Sequence, residues 1–327
     1  MHLPDKLQEA IAEEAEKFNW LDILNAREEL TDRYTHMQSR SKAFIATDAE
    51  RCAYVIARMP ATYAVLHRIL GELQQRASHA NLTIESLLDL GAGPGTALWA
   101  AADILPDLTK ATLIEKDCAL ITLGKRLSAV SDWPTKLVVD WKSQNMEQVQ
   151  VVGSYDLVIL SYSAGELLAT SIPAMIEAAW KLTNKFLIVI EPGTPVGFGR
   201  IRTIRSQLIE LGGDMVAPCP HAMACPMPDG DWCHFSERIE RTSMHRRLKK
   251  AALGHEDEKY SYIVASKVSS SQTESRILRN PMKRSGHVIL SLCAEEGLVQ
   301  KTVSKRNSEV YKLARKSEWG DEFSDGA

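Results

Sequence analysis

Two groups of residues in this sequence have the types and spacing to do chemistry. The first is Asp89-x-Gly91-x-Gly93-x-Gly95, inside LLDLGAGPGT at Leu87 to Thr96. Alternating glycines after a short apolar run let the backbone turn tightly and bring a nucleotide-like ligand close to a helix N-terminus. Glu115, in ATLIEKD, is the acid placed to meet the same ligand from the next strand. The second group is Cys219, Cys225 and Cys233, in a stretch rich in proline and histidine. In a reducing compartment clustered thiols are metal ligands more often than disulfides. Their C-x5-C-x7-C spacing is not the C-x2-C of a zinc ribbon, and a fourth ligand is needed. The candidates are Cys293, His221, His234 and His245.

The elements that must position these residues follow from periodicity. Residues 1–81 show apolar positions three and four apart and predict a helical N-terminal module, with Pro60 starting a fresh helix. Cys52 lies on its apolar face as a small hydrophobe. From Ser86 strands (SLLDL, ATLIE, KLVVD, YDLVILS, FLIVIE) alternate with helices (CALITLGKRLSAV, IPAMIEAAWKL), which predicts a parallel sheet covered on both faces. Ligands bind beyond the carboxyl ends of such strands, where Asp89, Glu115, Asp140 and Ser161 are expected to converge. Asp140 and Trp141 are placed to frame an adenine, EPGTPVGF reads as a rigid loop over the pocket mouth, and Cys118 reads as structural. KYSYIVASK is a late strand of the sheet. This gives a domain over 82–270 with a Cys-rich insertion at 217–250, and a basic, β-rich extension over 271–327 with strands HVILSL and GLVQKTVSK. The acidic tail after Trp319 is expected to fray.

The glycine spacing separates this chain from dinucleotide enzymes, whose fingerprint is G-x-G-x-x-G, and argues against a nicotinamide redox enzyme. It resembles motif I of class I S-adenosylmethionine (SAM) methyltransferases. That resemblance implies that Asp89, Gly91, Gly93, Gly95 and Glu115 hold SAM, with Asp140 and Ser161 alongside. The segment after the fourth strand, SYSAGEL, lacks the Asn/Asp-Pro-Pro-aromatic signature of amino-directed nucleic-acid methyltransferases, so no acceptor atom is indicated. Pro218-Cys219 has the order of a cytosine-5 methyltransferase nucleophile, but a thiol that ligates a metal is not also a nucleophile.

A second resemblance covers nearly the whole chain. APCPH, ACP, DWCHFSERIERT, MHRRLK, GHEDEKYSYIVASK, NPMKRSGHVILSLC and Trp319-Gly320-Asp321 are similar to the methyltransferase-like family of small-ribosomal-subunit assembly factors of bacteria and mitochondria. The resemblance implies an α/β class I SAM-methyltransferase fold. It also implies that Cys219, Cys225, Cys233 and Cys293 hold a [4Fe-4S] cluster, zinc being the alternative for four thiolates. Such a centre would be structural, stapling the C-terminal segment to the cysteine loop. The implied partners are the small ribosomal subunit and its rRNA. The implied function is rRNA methylation, subunit assembly, or both, with a catalytically inactive rRNA-binding scaffold as the alternative. The C-terminal extension is then OB-like and suited to single-stranded RNA.

At 327 residues with 45% apolar composition, the chain is long enough for a sizeable core. It has no apolar run long enough to span a membrane, no signal-peptide core and no Arg-rich presequence, so a soluble bacterial cytoplasmic protein is expected, with a mature organellar form as the alternative. A monomer is expected. Charge is uneven. From Arg200 to Lys316 there are 21 Lys and Arg against 13 Asp and Glu, an excess of eight, which leaves −11 on the remainder for a total of −3. The basic half, with Arg246 to Lys250 beside Arg238 and Arg241, then Arg279, Lys283, Arg284, Lys301, Lys305 and Arg306, is expected to face RNA phosphates.

Overall fold

The structure, a computed structural model, describes residues 1–36, 45–269 and 274–324; the side chains of 34–36 are outside the description. The expected boundary at 270 and residues 37–44 of the expected helical module lie outside the described residues. The N-terminal helices are α1 (Asp5–Glu16), α2 (Trp20–His36), α3 (Asp48–Ala57) and α4 (Met59–His79). Strands and helices then alternate through β1 (Ser86–Leu90), α5 (Thr96–Ile104), β2 (Lys110–Glu115), α6 (Cys118–Ser128), β3 (Val138–Ser143) and β4 (Tyr155–Ser161). The alternation continues with α7 (Ile172–Leu182), β5 (Thr183–Pro192), α8 (Pro195–Glu210) and β6 (Asp214–Ala217). After the cysteine loop come β7 (Phe235–Glu240), α9 (Ser243–Lys249) and β8 (His255–Ser266). The chain ends with β9 (Ser275–Ile277), β10 (Met282–Lys283), β11 (His287–Ala294), β12 (Gly297–Ser304) and α10 (Ser308–Lys316).

These elements form two compact units. The first comprises Met1–Glu72, Gly91–Val149 and Glu237–Glu258. Its helix α3 starts in a capping box: the Thr47 hydroxyl accepts from the Glu50 N–H at 3.2 Å and the Glu50 carboxylate accepts from the Thr47 N–H at 3.3 Å. Pro60 lies in the first turn of α4, where a missing N–H costs nothing. Cys52 is buried on α3 and its thiol is pushed up to about 12 by burial, as suits a packing residue. Strands β2 and β3 pair in parallel, joined by α6, whose N-terminus is capped by Asp117. Bidentate Arg126 to Glu14 bonds of 2.7 and 2.8 Å fasten α6 to α1. Strand β3 starts later than KLVVD and runs on through Trp141 to Ser143, because Leu137 turns back to donate to the Pro134 carbonyl.

The second unit comprises Leu73–Leu90, Gln150–Ser236 and Lys259–Ala327. Its strands run β1-β4-β5 in parallel, with registers Asp89↔Ile159 and Ile159↔Ile188. Then β8 lies antiparallel to β5 (Ile188↔Val264) and β6 antiparallel to β8 (Met215↔Ala265). The central strands are buried on both faces, which is why they read as continuous apolar runs. Parallel strands with helical crossovers, followed by a reversed strand beside β5, make this the mixed-sheet α/β fold of class I SAM methyltransferases, as the sequence leads one to expect.

The unit also holds a small antiparallel sheet in which β11 pairs with β9, β10 and β12. Alternating Val288, Leu290 and Leu292 face a core with Ile277, Val303, Ala314 and Phe323. Among the described residues this is an open four-stranded sheet covered by α10, not the five-stranded barrel of an OB-fold. The expected fraying after Trp319 also fails up to residue 324: Asp321 and Phe323 exchange backbone bonds with β9, and Phe323 is buried. A large aromatic ring with an apolar surface to cover outweighs the acidic composition around it.

Candidate functional site

The glycine loop belongs to the first unit. Gly91, Gly93 and Gly95 all have positive φ (79°, 54° and 84°), a conformation that side chains disfavour. The N–H groups of Gly91 and Ala92 both donate to the Ile114 carbonyl at 2.9 and 3.0 Å, folding the loop over the end of β2. Glu115 is buried and its carboxylate accepts from the Gly93 N–H at 2.9 Å and the Asp117 N–H at 2.8 Å. A carboxylate has about four lone-pair directions, so two remain for hydroxyl donors. A Cβ on Gly93 would point into open space, whereas one on Gly95 or Gly124 would come to 3.0 or 2.6 Å from the Trp141 ring. Trp141 therefore closes one side of the loop and leaves the Gly93 side open. Asp140 is not level with Glu115: it is paired with Thr112, three residues before Ser143, which is the residue opposite Glu115. It is exposed and lies 3.5 Å from Lys142. Cys118, exposed, is 3.1 Å from the Ser143 hydroxyl.

Asp89 and Ser161 belong to the second unit. Asp89 is buried near the end of β1 and Ser161 ends β4. Beyond Ser161 the SYSAGEL loop is clamped. The Ser163 hydroxyl donates to the Leu90 carbonyl at 2.9 Å, and the Gly165 N–H donates to Glu191 at 3.1 Å. Glu191 is fully buried, with Arg200 of α8 donating to it at 2.8 Å. Burial nonetheless pushes the Glu191 carboxyl above its ordinary value. A Cβ on Gly165 would meet the ends of the Arg200 and Glu191 side chains at 2.9 and 3.0 Å, so a larger residue there would have to displace that ion pair. EPGTPVGF is not a free loop. Thr194 caps α8, Pro195 opens it, and the Gly193 carbonyl accepts from the Trp232 indole at 3.0 Å.

The cysteine loop builds the second candidate centre within the same unit. Cys219, Cys225, Cys233 and Cys293 line one pocket together with His221, Arg205 and Arg276. Of the other candidate fourth ligands, His234 is stacked on Trp232 and edge-on to Trp319, and His245 is on α9 in the first unit beside Glu256. His221 lies 3.8 Å from the Cys293 sulfur. Burial pushes the Cys219 and Cys233 thiols up, and neighbouring thiols add to the rise at Cys233. Burial and the same neighbours push Cys293 up to about 12. The four thiols thus lie within electrostatic reach of one another. Among the described residues, no three His, Cys, Asp or Glu side chains close around a single ion position. The remaining backbone of the pocket is held by Arg276, which donates to the Pro218 carbonyl at 3.1 Å and to the Gly320 carbonyl at 2.8 Å.

A family model described as mitochondrial small ribosomal subunit Rsm22 matches residues 48–324, a span that takes in the glycine loop and all four cysteines. The chain belongs to the Rsm22 family. The human ribosome assembly protein METTL17, mitochondrial, is 25% identical over 84% of this chain and 62% of its own length. The budding-yeast ribosome assembly protein RSM22, mitochondrial, is 23% identical over 93% of this chain and 72% of its own. A fission-yeast Rsm22-cox11 tandem protein, mitochondrial, is 26% identical over 85% and 43%. The chain thus spans between two fifths and two thirds of the human and fission-yeast relatives. Among solved structures, the SAM-bound magnesium protoporphyrin IX methyltransferase of Synechocystis is 12% identical, with a TM-score of 0.42 over 76% of this chain and 97% of its own. The plantazolicin methyltransferase BpumL is 10% identical, with a TM-score of 0.44 over 80% and 99%. At these scores the fold assignment rests on strand order and direction.

Membership of the Rsm22 family corrects the expected bacterial cytoplasmic location, since the family model and these relatives are all described as mitochondrial. Surface composition does not record a compartment, which is why an acidic N-terminal segment misled. Among the described residues no helix is long and apolar enough to cross a membrane. Much of the basic cluster at 238–250 is also already engaged within this Rsm22-family chain. Arg238 binds Asp257, Arg241 and Lys249 bind Glu256, Lys250 binds Glu28, and Arg247 stacks on Trp20 at 4.3 Å.

Proposed function

We propose that this protein is a ribosome assembly factor acting on the mitochondrial small subunit, with a SAM-type pocket at the glycine loop and a [4Fe-4S] cluster on Cys219, Cys225, Cys233 and Cys293. The observation that carries the reading is the family match over 48–324, because it includes both candidate centres at once. The residues fit each group. At the glycine loop, Glu115 keeps free acceptor capacity beside an open approach to Gly93. At the cysteines, thiols spread around a cavity suit a polynuclear centre better than one zinc ion, which needs four sulfurs at about 2.3 Å from a point. A bound cluster would supply metal–sulfur cross-links between the cysteine loop and β11. Exposed Lys283, Arg284, Lys305 and Arg306 on the C-terminal sheet are the groups for rRNA phosphates.

Methyl transfer to rRNA is the second reading. The SYSAGEL loop, held by the Ser163 bond to Leu90 and the Gly165 bond to Glu191, favours the assembly role over one that needs a mobile acceptor side. Anaerobically purified protein, labelled SAM and immature small subunits separate the two. Subunit binding with no label in rRNA is the expected result, and Gly93-dependent label would establish a methyltransferase instead. Replacing Gly93 with Val should abolish SAM binding in calorimetry, because φ there is positive and the added side chain enters the ligand's approach. Unchanged binding would move the pocket elsewhere.

A further inference from the structure

Arg205 of α8 is only 3% exposed. Its guanidinium donates to the His221 carbonyl at 2.8 Å, to the Met223 carbonyl at 2.7 Å and, through Nε, to the Cys219 sulfur at 3.2 Å. Each of these acceptors is uncharged when the thiol is protonated. The other buried arginines of this unit differ. Arg76 is paired with Glu322 and Arg276 faces the same carboxylate at 3.5 Å, whereas among the described residues Arg205 faces no carboxylate. A guanidinium does not lose its proton in a protein, and a buried charge without a counter-ion is strongly disfavoured. The pocket that Arg205 lines contains no Asp or Glu; its acidic groups are the four thiols.

We propose that Arg205 is the built-in counter-charge of the four-cysteine centre: a positioning residue that donates N–H···S to Cys219 as thiolate and raises the reduction potential of the cluster held there. This rests on the reading of the four cysteines as cluster ligands. Four thiolates outnumber the positive charge of an oxidised four-iron core, and each added electron deepens that excess. A fixed cation at hydrogen-bond distance from a ligand sulfur therefore favours the reduced state, since net charge and hydrogen bonds to sulfur are what set such potentials.

The test uses the full chain, purified anaerobically, as wild type, Arg205→Gln and Arg205→Lys. Iron and acid-labile sulfide are counted, circular dichroism is recorded, and the midpoint is read by EPR during titration with dithionite. Wild type without iron and sulfide would sink the cluster reading itself, independently of Arg205. With a loaded wild type, Arg205→Gln is expected to shift the reduction equilibrium at least tenfold toward the oxidised form, about 59 mV for one electron. Arg205→Lys, which keeps the charge, should recover most of that shift. If Arg205→Gln loses the cluster while Arg205→Lys keeps it near the wild-type midpoint, the charge role also stands. Equal midpoints in all three, or loss of the cluster from both variants with native dichroism, would overturn the proposal and reduce Arg205 to a prop for the His221 and Met223 carbonyls.

Discussion

Glu191 carries an acid to the end of an apolar strand and then surrenders it to Arg200 and the Gly165 N–H. Removing one partner of a buried pair leaves the other uncompensated, so Arg200→Met should cost about 3–5 kcal/mol in denaturant unfolding. The double variant with Glu191→Gln should recover part of that loss. Glu256 makes the opposite case. Burial works against its charge, yet bonds from His245, Lys249 and Arg241 hold its carboxyl far below the usual range. A depressed folded value means stability that is full above the ordinary carboxyl value of about 4.3 and lost as pH falls toward the folded one. Glu256→Gln should therefore lower stability at pH 7 and flatten the acid limb of a stability–pH curve; an unchanged limb would remove Glu256 from the account. Neither acid was legible in the sequence, because periodicity reports which face is apolar and not which charge is enclosed. Gly91, Gly93 and Gly95 were legible, since alternate glycines after a strand have few uses other than positive φ. Asp140 was misplaced by a single wrong strand end.

Among the elements, the parallel strands were readable because a sheet covered on both faces must be apolar throughout. The bounds of β3 were not, because its alternating exposure gives no continuous apolar run and its start is set by a turn at Pro134. The C-terminal sheet was visible as two strands, but its closure by residues 321–323 was hidden in an acidic stretch. Phe323 fills the core between β11 and α10. Phe323→Ala should destabilise this sheet by about 3–5 kcal/mol, read as earlier loss of amide protection in β9 and β11 than in β4 and β5. Uniform protection across both sheets would mean that the ring does not hold the element.

Over the whole molecule, the excess of positive charge after residue 200 divides between two of the places named from the sequence. The cluster around α9 is bonded within the chain, while Lys283, Arg284, Lys305 and Arg306 stay exposed. Replacing those four with Gln should weaken binding to small-subunit rRNA and reduce the slope of log affinity against log salt by about 0.7 for each single-strand phosphate no longer neutralised. An unaltered slope would exclude this surface. The cysteines were joined to one another by resemblance and not by spacing, because Cys293 is brought to the pocket by a fold and no local pattern announces it. That arrangement has a consequence during synthesis. Cys219, Cys225 and Cys233 leave the ribosome first, but the pocket also needs Cys293 from β11 and the Gly320 carbonyl that anchors Arg276 to Pro218. A nascent chain stopped before Cys293 holds three of the four thiols and lacks the wall that β11 gives the pocket, so the cysteine loop cannot complete its surroundings until the C-terminal sheet has been made.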